Sequence, residues 1–242
     1  MPPTIHVSAP GKLMLLGEHA VVHGRPCLVT AMDSRLHMTL ARSGDDRFTL
    51  DAPDVGASGV TGRLADAFRD GRALAQGTRF IESALRVFAE QIGLESGVVI
   101  ATRSDFSSQL GLGSSSATVA CALFGLACLQ SVDLAPDRLF DLGLEAIRRV
   151  QGSGSGFDLA AAIFGGTLYY ENAAPRRIEP LEVPDLPLIV AYSGVKADTA
   201  TYVERVNARL AAYPAAVEHV FEAMRGTRPG QIRQRMQQTM MD

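Results

Sequence analysis

The sequence predicts an α+β protein, and three observations carry this prediction. Short runs of alternating apolar residues, separated by glycine and proline, fill the first 50 residues. Longer stretches with apolar residues at helical spacing follow them. Strands and helices then interleave without regular βαβ units, which argues against a doubly wound sheet. With 242 residues, 47% hydrophobic and 20% charged, the chain has the composition of a globular protein.

The strands are predicted from apolar alternation and from their turn residues. Ile5, Val7 and Ala9 alternate with polar neighbours, and Pro10-Gly11 ends this first run. Residues 51–77 are rich in Asp, Gly and Ala, so we expect a long loop or a weak helix there. The predicted strands are 5–9, 13–16, 27–32, 36–40, 48–50, 98–102, 167–170 and 188–192.

The helices are predicted from apolar stripes at spacings of three and four residues. Gly93 ends the first stripe, and Pro136 lies in the first turn of a later helix. The predicted helices are 78–92, 114–129, 135–150, 159–163, one that starts at Thr199, and two at about 214–225 and 230–241.

Composition and charge exclude several classes of function. A formal charge of −3 gives no basic field for nucleic acid, and no run reaches the roughly 18 apolar residues of a membrane span. The first six residues lack the pattern of a signal peptide. Cys27, Cys121 and Cys128 are odd in number, lie among apolar residues and have no metal-ligand spacing, so we expect buried free thiols in a reducing cytoplasm.

The strongest candidate for a functional site is the glycine-serine loop, which is the run Gly111-Leu112-Gly113-Ser114-Ser115-Ser116-Ala117. An apolar helix follows it, and the free N–H groups at a helix start bind phosphate well. Ser hydroxyls can also ligate Mg²⁺. The alternative is an ordinary Ser N-cap before a core helix. The run matches neither the P-loop nor the G-x-G-x-x-G pattern.

Several charged residues elsewhere are candidates for the same site. Asp158 follows a second glycine-rich loop and could accept a proton from a substrate hydroxyl, or simply cap the next helix. Lys12 could neutralise phosphate charge, or lie solvated at a strand end. Glu18-His19 could bind substrate, or form a plain turn. Glu82 and Glu145 could ligate Mg²⁺, although solvated helix faces are the default.

Taken together, four stretches resemble the GHMP small-molecule kinase superfamily, which includes galactokinase, homoserine kinase, mevalonate kinase and phosphomevalonate kinase. Residues 9–24 closely resemble the first motif of mevalonate kinases, and the glycine-serine loop resembles the ATP-phosphate motif. Residues 152–158, with Gly165-Gly166, resemble the segment that carries the catalytic Asp. Residues 195–199 resemble the start of the second lobe. The order and rough spacing agree over most of the chain.

The resemblance implies a two-lobed fold. Residues 1–180 would form an ATP-binding, catalytic lobe like ribosomal protein S5 domain 2. Residues 181–242 would form part of a ferredoxin-like lobe, which we expect to be truncated because the family's last glycine-rich motif is absent. The implied activity is ATP- and Mg²⁺-dependent phosphorylation of mevalonate to 5-phosphomevalonate, by a cytoplasmic monomer or homodimer with no nucleic-acid or membrane partner.

The resemblance also implies roles for individual residues. Asp158 would orient the attacking hydroxyl beside Lys12, whose charge would lower the pKa of that carboxyl. Glu18, His19 and Thr199 would contact the acid substrate, and Ser115 would contact Mg²⁺. The residues implied to hold the ATP phosphates are Gly111, Leu112, Gly113, Ser114, Ser115 and Ser116.

The sequence departs from the mevalonate kinase pattern near the catalytic Asp. Ile147 stands eleven residues before Asp158, where a Mg²⁺-binding Glu is usual. Gln151-Gly152 replaces the usual His-Gly, and Gly156-Phe157-Asp158 favours phosphomevalonate kinase as an alternative. Arg25, Arg103 and Lys196 are then candidates for binding the second phosphate. A further alternative is a ligand-binding or regulatory member of the superfamily without catalysis.

Overall fold

The structure is a computed structural model that describes residues 3–67, 75–183, 188–195 and 199–225. One mixed sheet carries a layer of helices, in agreement with the predicted α+β class. The strands are β1 (Thr4–Leu16), β2 (Cys27–Arg42), β3 (Arg47–Ala52), β4 (Ala57–Arg63), β5 (Val98–Ser104), β6 (Thr167–Glu171) and β7 (Arg177–Leu181). The α-helices are α1 (Leu64–Ala67), α2 (Arg79–Gln91), α3 (Ser114–Gln130), α4 (Pro136–Gln151), α5 (Phe157–Phe164), α6 (Thr199–Ala212) and α7 (Pro214–Arg225). Short 3₁₀ turns span Ala20–His23, Pro53–Val55 and Gln76–Thr78.

Strand β2 organises the sheet because it pairs with three other strands. It runs antiparallel to β1 along one edge, and to β5 and then β6 along the other. The strand order is β4-β3-β5-β2-β6-β7, with β1 joined to β2, and among the described strands only β3 and β5 pair in parallel. This arrangement puts the end of β1 and the turn after it close to the helix layer.

Helix α3 forms the centre of that layer. It packs against β1 and β2 on one side and contacts α2, α4 and α5. Its sequence is apolar almost all round, which suits a helix buried between a sheet and other helices. The end of the glycine-serine loop forms its first turn, which is continuous with a core whose fully buried members include Leu123 and Leu126.

Replacing Gly125 of α3 by Val should destabilise the fold by about 1–3 kcal/mol, the usual cost of overpacking a core. A Cβ at this position would overlap the side chain of Leu40 on β2, which is fully buried and cannot retreat. Urea unfolding measures the loss. Gly44→Val is the matched control, because nothing lies within 4 Å of a Cβ there. Equal loss in both variants would contradict this packing.

The predicted strand boundaries in the first 70 residues need correction. Pro10-Gly11 does not end a strand; β1 continues, and the pairing register shifts between Pro10 and Lys12. Likewise 27–32 and 36–40 are one strand, β2. The predicted loop at 51–77 contains β4, which lies at the edge of the sheet with several exposed residues and so lacks clear apolar alternation. Residues 68–74 lie outside the described ranges.

Later elements follow the prediction except at two strands. Residues 188–192 do not form a strand, although they are apolar, and Ile189 is 97% exposed. Strand β7 was not predicted, because it is a short edge strand that contains Pro180. The helices predicted at 78–92, 114–129, 135–150, 159–163 and 214–225 are confirmed, within a few residues, and the one at 230–241 lies outside the described ranges.

The three thiols differ in exposure, so one expectation was wrong. Cys27 and Cys121 are buried, but Cys128 is exposed on the outer face of α3. Burial raises the pKa of both buried thiols to about 12, which leaves almost no thiolate at neutral pH. Within the described residues, no helix combines the length and the apolar character that crossing a bilayer requires.

We therefore expect a single fast-reacting thiol in the native protein. A chromogenic disulfide reagent at neutral pH should modify Cys128 within minutes, and the other two only after unfolding. Cys128→Ser should abolish the fast phase, and Cys121→Ser should leave it intact. A fast phase that survives in Cys128→Ser would contradict the burial of Cys27 and Cys121.

Candidate active site

Lys12 and Asp158 form an ion pair at the centre of the candidate site. The distance from Lys12 Nζ to Asp158 Oδ1 is 3.0 Å, and the side chains are 14% and 32% exposed. Lys12 lies on β1 and Asp158 in the first turn of α5, so the pair joins the sheet to the helix layer. The ring of Phe157 also lies 4.9 Å from Lys12 Nζ. Lys12 is therefore not a solvated strand-end residue.

The glycine-serine loop lies directly beside Lys12. The backbone N–H of Lys12 donates to the carbonyl of Leu112 at 2.9 Å. Gly113, with φ +82°, is the N-cap of α3, and a Cβ on it would lie 2.8 Å from Lys12 Cγ. A glycine is thus required both by the left-handed backbone and by the lysine stem. The two motifs, about 100 positions apart in sequence, meet at this point.

The start of α3 has the geometry of an anion site rather than of a Ser cap. Its N-cap is Gly113, no side chain caps the helix, and the N–H of Ala117 donates to the carbonyl of Gly113. The N–H groups of Ser114, Ser115 and Ser116 consequently have no acceptor within the helix. The helix dipole and the Lys12 ammonium add positive charge next to these donors.

The loop before Asp158 is held by contacts on both sides. Arg148 donates to the carbonyl of Gly154 at 3.2 Å, and the Tyr170 hydroxyl donates to the carbonyl of Ser155. Gly156, with φ +88°, is the N-cap of α5, and a Cβ on it would lie 2.8 Å from Tyr170 Oη. Asp158 therefore does not cap α5 and is free to face Lys12.

The pKa of Asp158 is raised: Lys12 lowers it, as predicted, but the predicted net decrease is wrong. Burial of the carboxyl is the largest effect and raises the pKa above the ordinary value of 3.8. The Lys12 ammonium opposes this rise without cancelling it, and the negative charge of Glu18 adds to it. The charge of Lys12 could be predicted from the sequence, but the desolvation of the Asp158 carboxyl depends on the fold.

Two of the predicted substrate residues line a cavity between the turn after β1 and the helices α6 and α7. Glu18 and His19 follow β1 and line a cavity of about 560 Å³, together with Tyr202 and Arg205 of α6 and Phe221 of α7. Thr199 is the first residue of α6. The negative charge of Glu18 raises the pKa of Asp158, so this carboxylate is within electrostatic reach of the Lys12–Asp158 pair. Of the predicted residues, the structure groups Lys12, Asp158, the glycine-serine loop and Glu18.

The residues present suit nucleotide phosphates better than a carboxylate-bound metal. Ile147 is a buried core residue, and Glu145 accepts hydrogen bonds from Arg149 and Gln91 instead of facing the site. Glu82 is buried and accepts from the Thr78 hydroxyl, so it does not lie on a solvated face. Over the described residues, no three His, Cys, Asp or Glu side chains form a metal-binding group. Ser115 stays the predicted Mg²⁺ contact.

Two residues at the site were missed. Phe157 stacks under the Lys12 ammonium, and Tyr170 anchors the loop that carries Asp158. Phe157 could have been predicted at the site because it directly precedes Asp158 in sequence. Its apolar side chain, however, is more typical of a core position. Tyr170 had no local signal, because its contact depends on β6 lying beside that loop.

Comparison with known proteins finds similarity to small-molecule kinases. Residues 79–166 match the family model described as the GHMP kinases N terminal domain. The mevalonate kinase of Thermococcus sibiricus is 28% identical over 221 residues, which are 90% of this chain and 66% of that protein. The chain thus spans about two thirds of the length of the curated relatives it matches.

Solved structures agree on the fold. The mevalonate kinase of Methanococcus jannaschii matches with a TM-score of 0.74 and 19% identity, over 93% of this chain and 71% of that one. The L. major mevalonate kinase in complex with R-mevalonate matches with a TM-score of 0.75 and 20% identity, over 98% of this chain and 71% of that one.

Residues 79–166 therefore have the sequence features of a GHMP kinase N-terminal domain, and the chain is similar over about 90% of its length to small-molecule kinases. Mevalonate kinases are among the proteins to which the chain is similar. The predicted fold class and the predicted resemblance to GHMP kinases are confirmed, whereas the division at residue 180 stays a prediction.

Proposed function

We propose that this chain carries the catalytic lobe of a mevalonate kinase, which transfers the terminal phosphoryl group of ATP to the hydroxyl of mevalonate. The observation that carries the proposal is the meeting of Lys12, Asp158 and the start of α3 at one place. Phosphoryl transfer needs a group that accepts the proton of the substrate hydroxyl, a cation and donors for the phosphate oxygens. Asp158, Lys12 and the N–H groups at the start of α3 can supply them.

The proposed roles follow from the geometry. The N–H groups of Ser114, Ser115 and Ser116 would hold the phosphates, and Lys12 would neutralise their charge. Asp158 would accept a hydrogen bond from the substrate hydroxyl, and its raised pKa makes it a better proton acceptor than an ordinary Asp. ATP would supply the phosphoryl group, with Mg²⁺ held mainly by phosphate oxygens, water and the Ser115 hydroxyl.

Glu18, His19 and Thr199 are proposed to bind the acid substrate. Glu18 and His19 line the cavity, the charge of Glu18 reaches Asp158, and α6 begins at Thr199. Phosphomevalonate as the substrate would need additional cations. Arg25 is occupied by Glu218 and Glu222, Arg103 is paired with Asp105, and Lys196 lies outside the described residues. Because Arg25 and Arg103 are already paired with carboxylates, we favour mevalonate over phosphomevalonate as the substrate.

A coupled assay of ADP release tests the proposal. The protein is offered mevalonate, 5-phosphomevalonate, galactose and homoserine in turn, each with Mg-ATP. We expect turnover with mevalonate and none with the other three. Turnover with 5-phosphomevalonate alone would overturn the substrate assignment. Binding of nucleotide and mevalonate by calorimetry, with no ADP release, would instead identify a non-catalytic member, for which Ile147 at the usual metal position is the supporting observation.

A further inference from the structure

The turn that carries Glu18 and His19 is held from outside by α7. Arg25, which closes this turn, contacts two carboxylates of α7, with Arg25 Nη2 2.6 Å from Glu218 Oε2 and Arg25 Nη1 3.0 Å from Glu222 Oε1. The two glutamates are four residues apart and therefore lie on one face of α7. Between them in sequence, Phe221 is 4% exposed and stacks on His23 with ring centroids 5.1 Å apart.

The turn transmits these contacts to the substrate residues through its own backbone. The N–H of Arg25 donates to the carbonyl of Ala20 at 3.1 Å, and the N–H of Val21 donates to the carbonyl of Gly17 at 3.1 Å. His19 between them has φ +63°, a left-handed conformation that a residue with a Cβ adopts only when its surroundings impose it. Holding Arg25 in place therefore helps to hold His19 in this conformation.

We propose that Arg25, Glu218 and Glu222 form a clamp that positions Glu18 and His19 for binding the substrate. This inference rests on the proposed function for its substrate, and it assigns to α7 a role in substrate affinity that none of the sequence motifs suggests. The clamp residues do not touch the reacting atoms. They set how often the turn presents Glu18 and His19 toward the cavity that Tyr202 and Phe221 also line.

Disrupting the clamp should change the KM for mevalonate selectively. Both glutamates are about half exposed, and the Arg25 side chain is 22% exposed, so each ion pair is partly screened by solvent. Arg25→Glu places three acidic side chains together and should raise the KM for mevalonate about tenfold. The kcat and the KM for ATP should stay unchanged, because Lys12, Asp158 and Gly113 lie on other elements.

The experiment compares Arg25→Glu, the pair Glu218→Arg with Glu222→Arg, and the combination of all three. Restored charge complementarity in the combination should recover most of the lost affinity, and Arg25→Lys should retain part of it. Arg63→Glu is the matched control, because Arg63 pairs with Asp46 in an ion pair whose side chains are 64% and 63% exposed. It should leave every constant unchanged.

Hydrogen exchange of the substrate-free protein provides a second readout that does not need turnover. Arg25→Glu should accelerate exchange in peptides covering residues 17–25 and α7, without a change in peptides covering α3, and the combined variant should reverse the acceleration. Unchanged exchange, or an acceleration that the combined variant does not reverse, would overturn the clamp. Absence of mevalonate turnover by the wild-type protein would instead overturn the proposed function, and the exchange result would still decide on the clamp.

Discussion

Asp158→Asn should lower kcat for mevalonate phosphorylation by about 10²- to 10⁴-fold, the usual contribution of a positioned proton acceptor. The amide keeps the size of the side chain but cannot take a proton, and it loses the ion pair with Lys12 Nζ. Binding of ATP should persist, because the N–H groups at the start of α3 are untouched. ADP release gives the rate, and calorimetry gives nucleotide affinity.

The pH profile provides an independent check of the same residue. The reactive form is the ionised carboxylate, so the rate should fall as the pH drops through the pKa of Asp158. Because burial raises that pKa, this fall should occur at a higher pH than the ordinary value of 3.8 would give. Asp137→Asn is the control, since Asp137 is an exposed residue in the first turn of α4. A similar loss of rate in both variants would contradict a specific role for Asp158.

Gly113→Ala should reduce kcat/KM for ATP by about 10- to 100-fold, since a strained φ/ψ costs roughly 1–3 kcal/mol. Alanine must adopt φ +82°, and its Cβ must fit 2.8 Å from Lys12 Cγ, where Lys12 is already fixed by its ion pair. The loop can relieve the overlap only by moving its N–H groups or by displacing the lysine. Either change disturbs the proposed phosphate site.

Gly93→Ala is a control that imposes backbone strain without an overlap between the new Cβ and Lys12. Gly93 also has a positive φ, +105°, but nothing lies within 4 Å of a Cβ there and it follows α2, remote from Lys12. This control should lose stability in urea unfolding and keep its kcat/KM for ATP. Wild-type kcat/KM for ATP in Gly113→Ala would contradict the placement of the glycine-serine loop in the nucleotide site.

The residues of the candidate site could be predicted because their signals are local. A glycine before a Ser-rich helix start, and a lysine and an aspartate within short motifs, can be recognised without knowing how the chain folds. Their meeting could be predicted only through family resemblance, since about 100 residues separate Lys12 from Gly113. The direction of the Asp158 pKa shift needed the fold, because desolvation depends on what packs around the carboxyl.

The strands were predicted less well, and the errors have a common physical reason. Strands β4 and β7 lie at edges and are partly exposed, so neither has the apolar alternation by which strands are recognised. The opposite error occurred at residues 188–192, where apolar residues predicted a strand that the structure does not contain. Pairing partners decide whether such segments form strands, and the sequence of one segment does not reveal its partners.

The register shift in β1 constrains the number of residues between Pro10 and Lys12, whatever the identity of those residues. Pro10 pairs with Arg35, and after the shift Lys12 pairs with Ala31. Since side chains alternate between the two faces of a strand, the number of residues in this short interval decides which face receives the ammonium. Deleting or inserting a single residue between Pro10 and Lys12 would turn the lysine away from Asp158, however well the surrounding sequence were preserved.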